Sequence, residues 1–133
     1  MRLYTLAEAR LMLPQVIPVL EQLCEAIVAL RALQAAVAAE LRGASGDGAS
    51  LANPWESDPP ESRAQALNQQ LRTASRQLET WGIEVKDPER GLIDFHHDRY
   101  GEVVYLCYLL GEPDIGWWHR IADGFAGRVA LEE

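Results

Sequence analysis

Apolar residues recur at alternating spacings of four and three between residues 16 and 41, and only Gln34 interrupts the stripe. This spacing predicts an amphipathic helix from Pro14 to Arg42, about 43 Å long at 1.5 Å per residue. Such a seam favours a partner helix packed at a shallow angle. The residues of the stripe are Val16, Leu20, Leu23, Ile27, Leu30, Val37 and Leu41.

A shorter helix is expected before this one. Thr5 and Glu8 have the spacing of a capping box, in which each side chain accepts a hydrogen bond from the backbone N–H of the other residue. Because proline disfavours helical geometry in the residue before it, Pro14 predicts a break or kink after Leu13.

A second apolar stripe, between residues 64 and 81, supplies the partner helix. Asp58, Pro59 and Glu61 are typical of an N-cap, a first-turn proline and a first-turn acid, and Gly82 is typical of a helix end. The Gly/Ser-rich stretch within residues 43–58 predicts a mobile loop. The two helices would form an antiparallel hairpin whose seam serves the intramolecular core, a dimer, or both. The residues of the second stripe are Ala64, Leu67, Leu71, Ala74, Leu78 and Trp81.

The periodicity changes after residue 82. Residues 92–97 and 102–110 read as two strands joined by a turn at residues 98–101, and a third strand is expected from residues 83–86 or 128–131. The helical hairpin is expected to cover one face of the sheet, and residues 113–122 or the C-terminal tail would cover the other. The fold class is therefore α+β, a long coiled-coil-like antiparallel helical hairpin followed by a small antiparallel sheet and a short C-terminal helix or turn. Residues 1–133 are expected to form a single domain, with the hairpin in 1–82 and the β-rich part in 83–133.

Size and charge narrow the functional classes. A chain of 133 residues suits one core. The net charge is −8, and residues 83–133 contribute −6 of it, which disfavours binding to nucleic acid or to anionic membranes.

The chain shows neither a secretory leader nor an apolar span, so a cytoplasmic location is expected. Cys24 and Cys107 lie in apolar runs and are expected to be buried thiols, with a thiol sensor at Cys107 as the alternative.

Candidate metal ligands lie near the C-terminus. Glu112, His119 and Asp123 are spaced by seven and four, which would align a carboxylate, an imidazole and a second carboxylate on one helical face. Pro113 and Gly116 interrupt that helix, and ordinary buried or exposed polar roles stay open. A divalent metal is the cofactor that these residues would suit.

Asp94 lies between Ile93 and Phe95, where a buried carboxylate needs a partner. Arg128 and Arg90 are the natural candidates, which would make an architectural ion pair. The alternative is an acid that orients a ligand in a pocket lined by Trp117, Trp118 and Tyr105. The adjacent residues Trp117 and Trp118 do not by themselves show whether they line a pocket, belong to the core or form an interface.

A set of short segments along nearly the whole chain forms a recognisable pattern: Tyr4–Ala9, Leu13-Pro14, Lys86-Asp87, Gly91–Phe95, Val104–Cys107, Gly111-Glu112, Trp118-His119 and Gly124–Arg128. In these segments the chain resembles a family of small bacterial and archaeal proteins catalogued as domain of unknown function 2203. His96 and Tyr108 depart from the family's pattern, in which Pro and Trp are usual. The resemblance implies no established activity, and it makes Asp94, Glu112, His119 and Arg128 the positions to test.

Two functions remain open. The first is a non-catalytic interaction or regulatory module that forms a homodimer or binds a protein partner through the helical hairpin. The alternative is a metal- or small-ligand-binding protein, with a hydrolase as one form, that uses Glu112, His119, Asp123 and Asp94. No catalytic motif is recognised, which favours the non-enzymatic interpretation.

Overall fold

The computed structural model describes residues 1–43 and 59–132. Apart from Gly43, the expected mobile loop at 43–58 lies outside the described residues, as does the proposed N-cap Asp58. The elements are the helices α1 (Leu6–Arg42) and α2 (Pro60–Thr80), the strands β1 (Ile83–Asp87), β2 (Leu92–Arg99), β3 (Glu102–Leu109), β4 (Trp117–Arg120) and β5 (Val129–Ala130), and a 3₁₀ turn (Phe125–Gly127) between β4 and β5.

The expected break at Pro14 is wrong, because α1 is one helix of 37 residues that contains Pro14 and Pro18. Each proline removes a backbone hydrogen bond and costs about 3 kcal/mol in a helix interior. Both prolines are on the exposed side of α1, whereas Leu13, Val16 and Leu20 on its other side are buried. Packing of that continuous apolar side offsets the penalty. The capping box at Thr5 and Glu8 is confirmed.

The helices form the predicted antiparallel hairpin. The Tyr4 hydroxyl, before α1, donates to the carbonyl of Trp81, after α2, and the Gln70 amide donates to the carbonyl of Gln22 at 2.9 Å. The first-turn proline of α2 is Pro60 rather than Pro59, which is the N-cap residue. Gly82 adopts a φ of 75°, in the left-handed conformation that ends many helices.

The five strands follow one another in space in their chain order, and every neighbouring pair is antiparallel. The predicted β2–β3 hairpin is confirmed, and Tyr100 and Gly101 at its turn both have positive φ. Both candidate third strands are present, as β1 and β5. Residues 117–120 form strand β4 instead of a cover for the sheet, because their backbone pairs with Val104–Cys107 of β3.

The helices pack on one face of the sheet, and the hydrophobic core lies between them. Side chains at alternate positions of the strands, among them Ile93, Phe95, Leu106 and Tyr108, belong to this core together with residues of both helices. The intervening positions point to the opposite face, which is called the outer face below. No helix in residues 1–43 and 59–132 combines the length and apolarity needed to cross a membrane.

Candidate functional site

Three polar side chains meet on the outer face of the sheet. In the strand register Asp94 of β2 lies opposite Cys107 of β3, and His119 of β4 lies opposite Tyr105, two residues from Cys107 on the same face. One oxygen of Asp94, the sulfur of Cys107 and one ring nitrogen of His119 all lie within 4.8 Å of one another. Their exposed fractions are 1%, 0% and 2%. They are called the buried triad below.

The imidazole of His119 is fixed at both ring nitrogens. Nδ1 lies 2.9 Å from the carbonyl oxygen of Arg120, and Nε2 lies 3.1 Å from both carboxylate oxygens of Asp94. Since a carbonyl oxygen only accepts hydrogen bonds, Nδ1 carries the hydrogen. The Nε2 contact with Asp94 therefore needs a further proton, either on the imidazole or on the carboxyl group.

Burial is the largest cause of the pKa shifts of the other two members of the triad, Asp94 and Cys107. Burial raises the pKa of Asp94, and the neighbouring His119 and the Cys107 thiol only partly oppose that shift. Burial also raises the pKa of the Cys107 thiol to about 12, and the negative charge of Asp94 adds to the effect. The thiol is thus protonated at neutral pH, which argues against the thiol-sensor alternative.

Glu112 and Arg128 form a separate clamp beside the triad. One terminal nitrogen of Arg128 donates to both carboxylate oxygens of Glu112 at 2.8 Å, and Glu112 also accepts from the backbone N–H of Leu109 at 2.7 Å. The Arg128 guanidinium lies over the rings of Trp117 and Phe125, at 4.9 and 4.6 Å from their centroids. The clamp thereby ties the β3–β4 connection to the 3₁₀ turn, an architectural role.

Two expectations about which side chains meet within the protein are wrong. The partner of Asp94 is His119 rather than Arg128 or Arg90, because the β3–β4 register places His119 beside it. The metal set of Glu112, His119 and Asp123 is not assembled, since the spacing of seven and four assumed a helix and His119 lies in a strand. In the described residues the only potential metal-ligand group is the buried triad, and Asp123 is exposed in the turn after β4.

Sequence reasoning missed a polar network next to the triad. Glu84 accepts hydrogen bonds from the Tyr105 hydroxyl at 2.7 Å and from Lys86 at 2.8 Å, and it contacts His96 Nε2 at 2.7 Å. The Tyr105 ring packs at 5.2 Å from the ring of His119. Alternation along β1 and β3 could have placed these side chains on one face, but only a known strand register could have joined them.

The donor set of the triad suits a metal ion better than acid–base or nucleophilic chemistry. A thiol with a pKa of about 12 is a poor nucleophile at neutral pH, and both oxygens of the Asp94 carboxylate are already in contact with His119. Sulfur, imidazole nitrogen and carboxylate oxygen together are the ligands of zinc and related ions.

Comparison with known proteins identifies the family without adding an activity. Neither the curated proteins nor the solved structures contain a match to this chain. One family model matches residues 2–131, described as an uncharacterized conserved protein, DUF2203. Because that match spans nearly all of the 133 residues, the chain belongs to the DUF2203 family of uncharacterized conserved proteins.

Proposed function

We propose that the protein binds a divalent, thiol-preferring transition metal, zinc by preference, at the buried triad. The observation that supports this most directly is the convergence of three different donor atoms within 4.8 Å on adjacent strands. Ligand atoms around a tetrahedral zinc lie about 3–4 Å apart, so binding requires only small side-chain movements.

The orientation of His119 supports the same proposal. Metal-bound histidines usually donate their second N–H to a carbonyl or carboxylate, which aims the other nitrogen at the metal. His119 Nδ1 already faces the Arg120 carbonyl, which leaves Nε2 directed into the triad. A metal would occupy the place of the proton between His119 and Asp94, and its binding to the Cys107 sulfur would release the thiol proton to solvent.

A site with three protein ligands leaves one coordination position for water or substrate, as in hydrolytic zinc enzymes. Glu84, Lys86 and Tyr105 flank the triad on the outer face and would be the nearest polar groups to such a ligand. The hydrolase form of the proposal depends on this fourth position, whereas metal binding itself does not.

Cobalt substitution tests the proposal most sharply. Tag-free protein, freed of metal by chelation, is titrated with Zn²⁺ by calorimetry and with Co²⁺ by absorbance, where a thiolate ligand produces a charge-transfer band. We expect one metal per chain, a thiolate–cobalt band, and affinity reduced at least about 100-fold in Cys107→Ser and Asp94→Asn, because loss of a ligand costs more than loss of a group that only orients one. His119→Ala should lose binding similarly.

The other buried cysteine supplies the matched control. Cys24 faces the core on α1, so Cys24→Ser should keep the band and the stoichiometry. Absence of stoichiometric binding in the wild type, or an unchanged band in Cys107→Ser with native circular dichroism, would exclude the site.

A second candidate function rests on the length difference between the helices. α1 has 37 residues and α2 has 21, and a groove of about 480 Å³ opens between the C-terminal half of α1 and the start of α2. Leu33, Val37 and Ala64 line it, and the side chain of Leu41 is 74% exposed. We propose that a second copy of the chain occupies this groove, because two antiparallel copies of α1 would each supply the helix surface that α2 is too short to provide.

Light scattering after size-exclusion chromatography tests the self-association. We expect a concentration-dependent dimer that Val37→Glu abolishes. Val28→Glu is the control, because Val28 is 55% exposed on α1 but does not line the groove. A strict monomer at all concentrations, or equal effects of both variants, would contradict this second proposal while leaving the metal site untouched.

A further inference from the structure

A small cavity lies at the free end of the β2–β3 hairpin, away from the buried triad. It has a volume of about 250 Å³, and its walls come from the last residues of β2, the start of β3, and β4. That volume equals the share of about eight water molecules in the liquid, so it suits a ligand of roughly ten non-hydrogen atoms. The lining residues are Arg99, Tyr100, Glu102, Val104, Trp118 and Arg120.

The guanidinium of Arg99 lies near two aromatic rings in this cavity. Its guanidinium carbon lies 4.6 Å from the ring centroid of Trp118 and 5.4 Å from that of Tyr100. These cation–π contacts use none of the guanidinium N–H donors, so the donors are available to an acceptor. Within residues 1–43 and 59–132, no carboxylate lies within salt-bridge distance of Arg99.

The charges in the cavity are unbalanced. Arg120 also lies over the Trp118 ring, at 5.7 Å, and its Nε donates to Glu102 at 3.2 Å. The cavity is therefore lined by two guanidinium groups and one carboxylate, although the protein as a whole has a net charge of −8. This local excess of positive charge favours one further anion.

Two aromatic features complete the cavity. Tyr100 is 96% exposed and has a φ of 52°, a conformation that few residues other than glycine adopt. The indole Nε1 of Trp118 is enclosed and has no acceptor within the described part of the chain. The turn thus presents an exposed ring at the mouth of the cavity, and the enclosed indole N–H belongs to a residue of its wall.

We propose that this cavity binds a small planar carboxylate, such as an aromatic acid. The carboxylate pairs in the plane of the Arg99 guanidinium, where a two-point interaction is available. The planar remainder packs between Tyr100, Val104 and the edge of Trp118. This site is independent of metal binding, because it uses the opposite face of the sheet from the buried triad.

Nuclear magnetic resonance of ¹⁵N-labelled protein tests the proposal through the indole N–H signal of Trp118, which the Trp118→Phe variant identifies. Benzoate is the probe, acetate is the carboxylate without a ring, and benzyl alcohol is the ring without a charge. We expect benzoate to shift the Trp118 signal saturably, with a dissociation constant on the order of 1 mM for so small a ligand. Acetate and benzyl alcohol should bind at least about 10-fold more weakly.

Charge variants separate a binding site from an ordinary surface. Arg99→Gln should weaken benzoate binding about 10-fold, whereas Glu102→Gln should strengthen it about 2- to 5-fold by releasing Arg120 from its carboxylate. Arg76→Gln removes the same charge from the exposed surface of α2 and should change nothing. No saturable shift at Trp118, equal binding of all three probes, or an unchanged affinity in Arg99→Gln would overturn the proposal.

Discussion

At the scale of single residues, the enclosed thiol of Cys107 makes the most direct prediction. Its pKa of about 12 leaves almost no thiolate at neutral pH, and its exposed fraction is 0%. We expect iodoacetamide to leave Cys107 unmodified in the native protein for hours and to modify it within minutes in urea. Mass spectrometry of the peptides measures both rates. Rapid modification of Cys107 in the native protein would contradict the burial of its thiol and would restore the thiol-sensor interpretation.

Glu84 should affect the acid stability of the protein. Burial raises the pKa of this carboxyl, but hydrogen bonds from Lys86 and Tyr105 and the positive charges of Lys86 and His96 outweigh it, so the net shift is downward. A carboxyl with a lowered folded-state pKa stabilises the fold above its unfolded pKa of about 4.3, and that stabilisation is lost as the pH falls through the folded value.

The Glu84→Gln variant tests this prediction. The difference in unfolding free energy between wild type and variant should be largest above about pH 5 and should shrink as the pH falls below the unfolded pKa. Urea unfolding followed at a series of pH values measures it. Glu21→Gln, at an exposed acid of α1 that has no ion pair within the described residues, should give a difference that does not follow this pattern.

At the scale of elements, the tight turn between β1 and β2 depends on Gly91. Its φ is 76°, and an added Cβ would lie 2.6 Å from the Cβ of Leu110. Left-handed backbone costs a residue with a Cβ about 1–2 kcal/mol, and overpacking costs about 1–3 kcal/mol more. We therefore expect Gly91→Ala to destabilise the protein by about 2–5 kcal/mol, measured by urea unfolding.

Gly111 provides the comparison for this turn. It also has a positive φ, of 106°, but an added Cβ would meet no atom within 4 Å. Gly111→Ala should therefore show only the backbone penalty, about 1–2 kcal/mol. Equal losses of stability in the two alanine variants would show that the contact with Leu110 does not matter.

The elements themselves were largely predictable, because each is encoded by a local pattern. The apolar stripes predicted both long helices, and the β2–β3 hairpin followed from two strand-like runs around Asp98–Gly101. The break predicted at Pro14 was wrong because local sterics favour a break there, whereas the packing of Leu13 and Val16 that keeps the helix continuous depends on the tertiary structure. β4 was missed because four residues show too short a pattern to tell a strand from a helix.

At the scale of the whole molecule, the pairing of strands decides which polar residues meet. Asp94 and His119 were both selected from the sequence, but their contact depends on two successive registers, β2 with β3 and β3 with β4. A shift of one residue in either register would turn one side chain to the opposite face. Cys107 was interpreted as an isolated thiol for the same reason, since no local pattern shows that it lies across from Asp94.

The helices and the sheet share one hydrophobic core, so we propose that the 133-residue chain unfolds as a single cooperative domain. Leu20 of α1 is 0% exposed in that core, and Leu20→Ala should cost about 2–5 kcal/mol. Circular dichroism reports the helices, and tryptophan fluorescence in a Trp55→Phe background reports Trp81, Trp117 and Trp118 in and near the sheet. Both transitions should move to lower urea together. A helical transition that shifts while the fluorescence transition stays would instead show that the hairpin and the sheet fold as separate units.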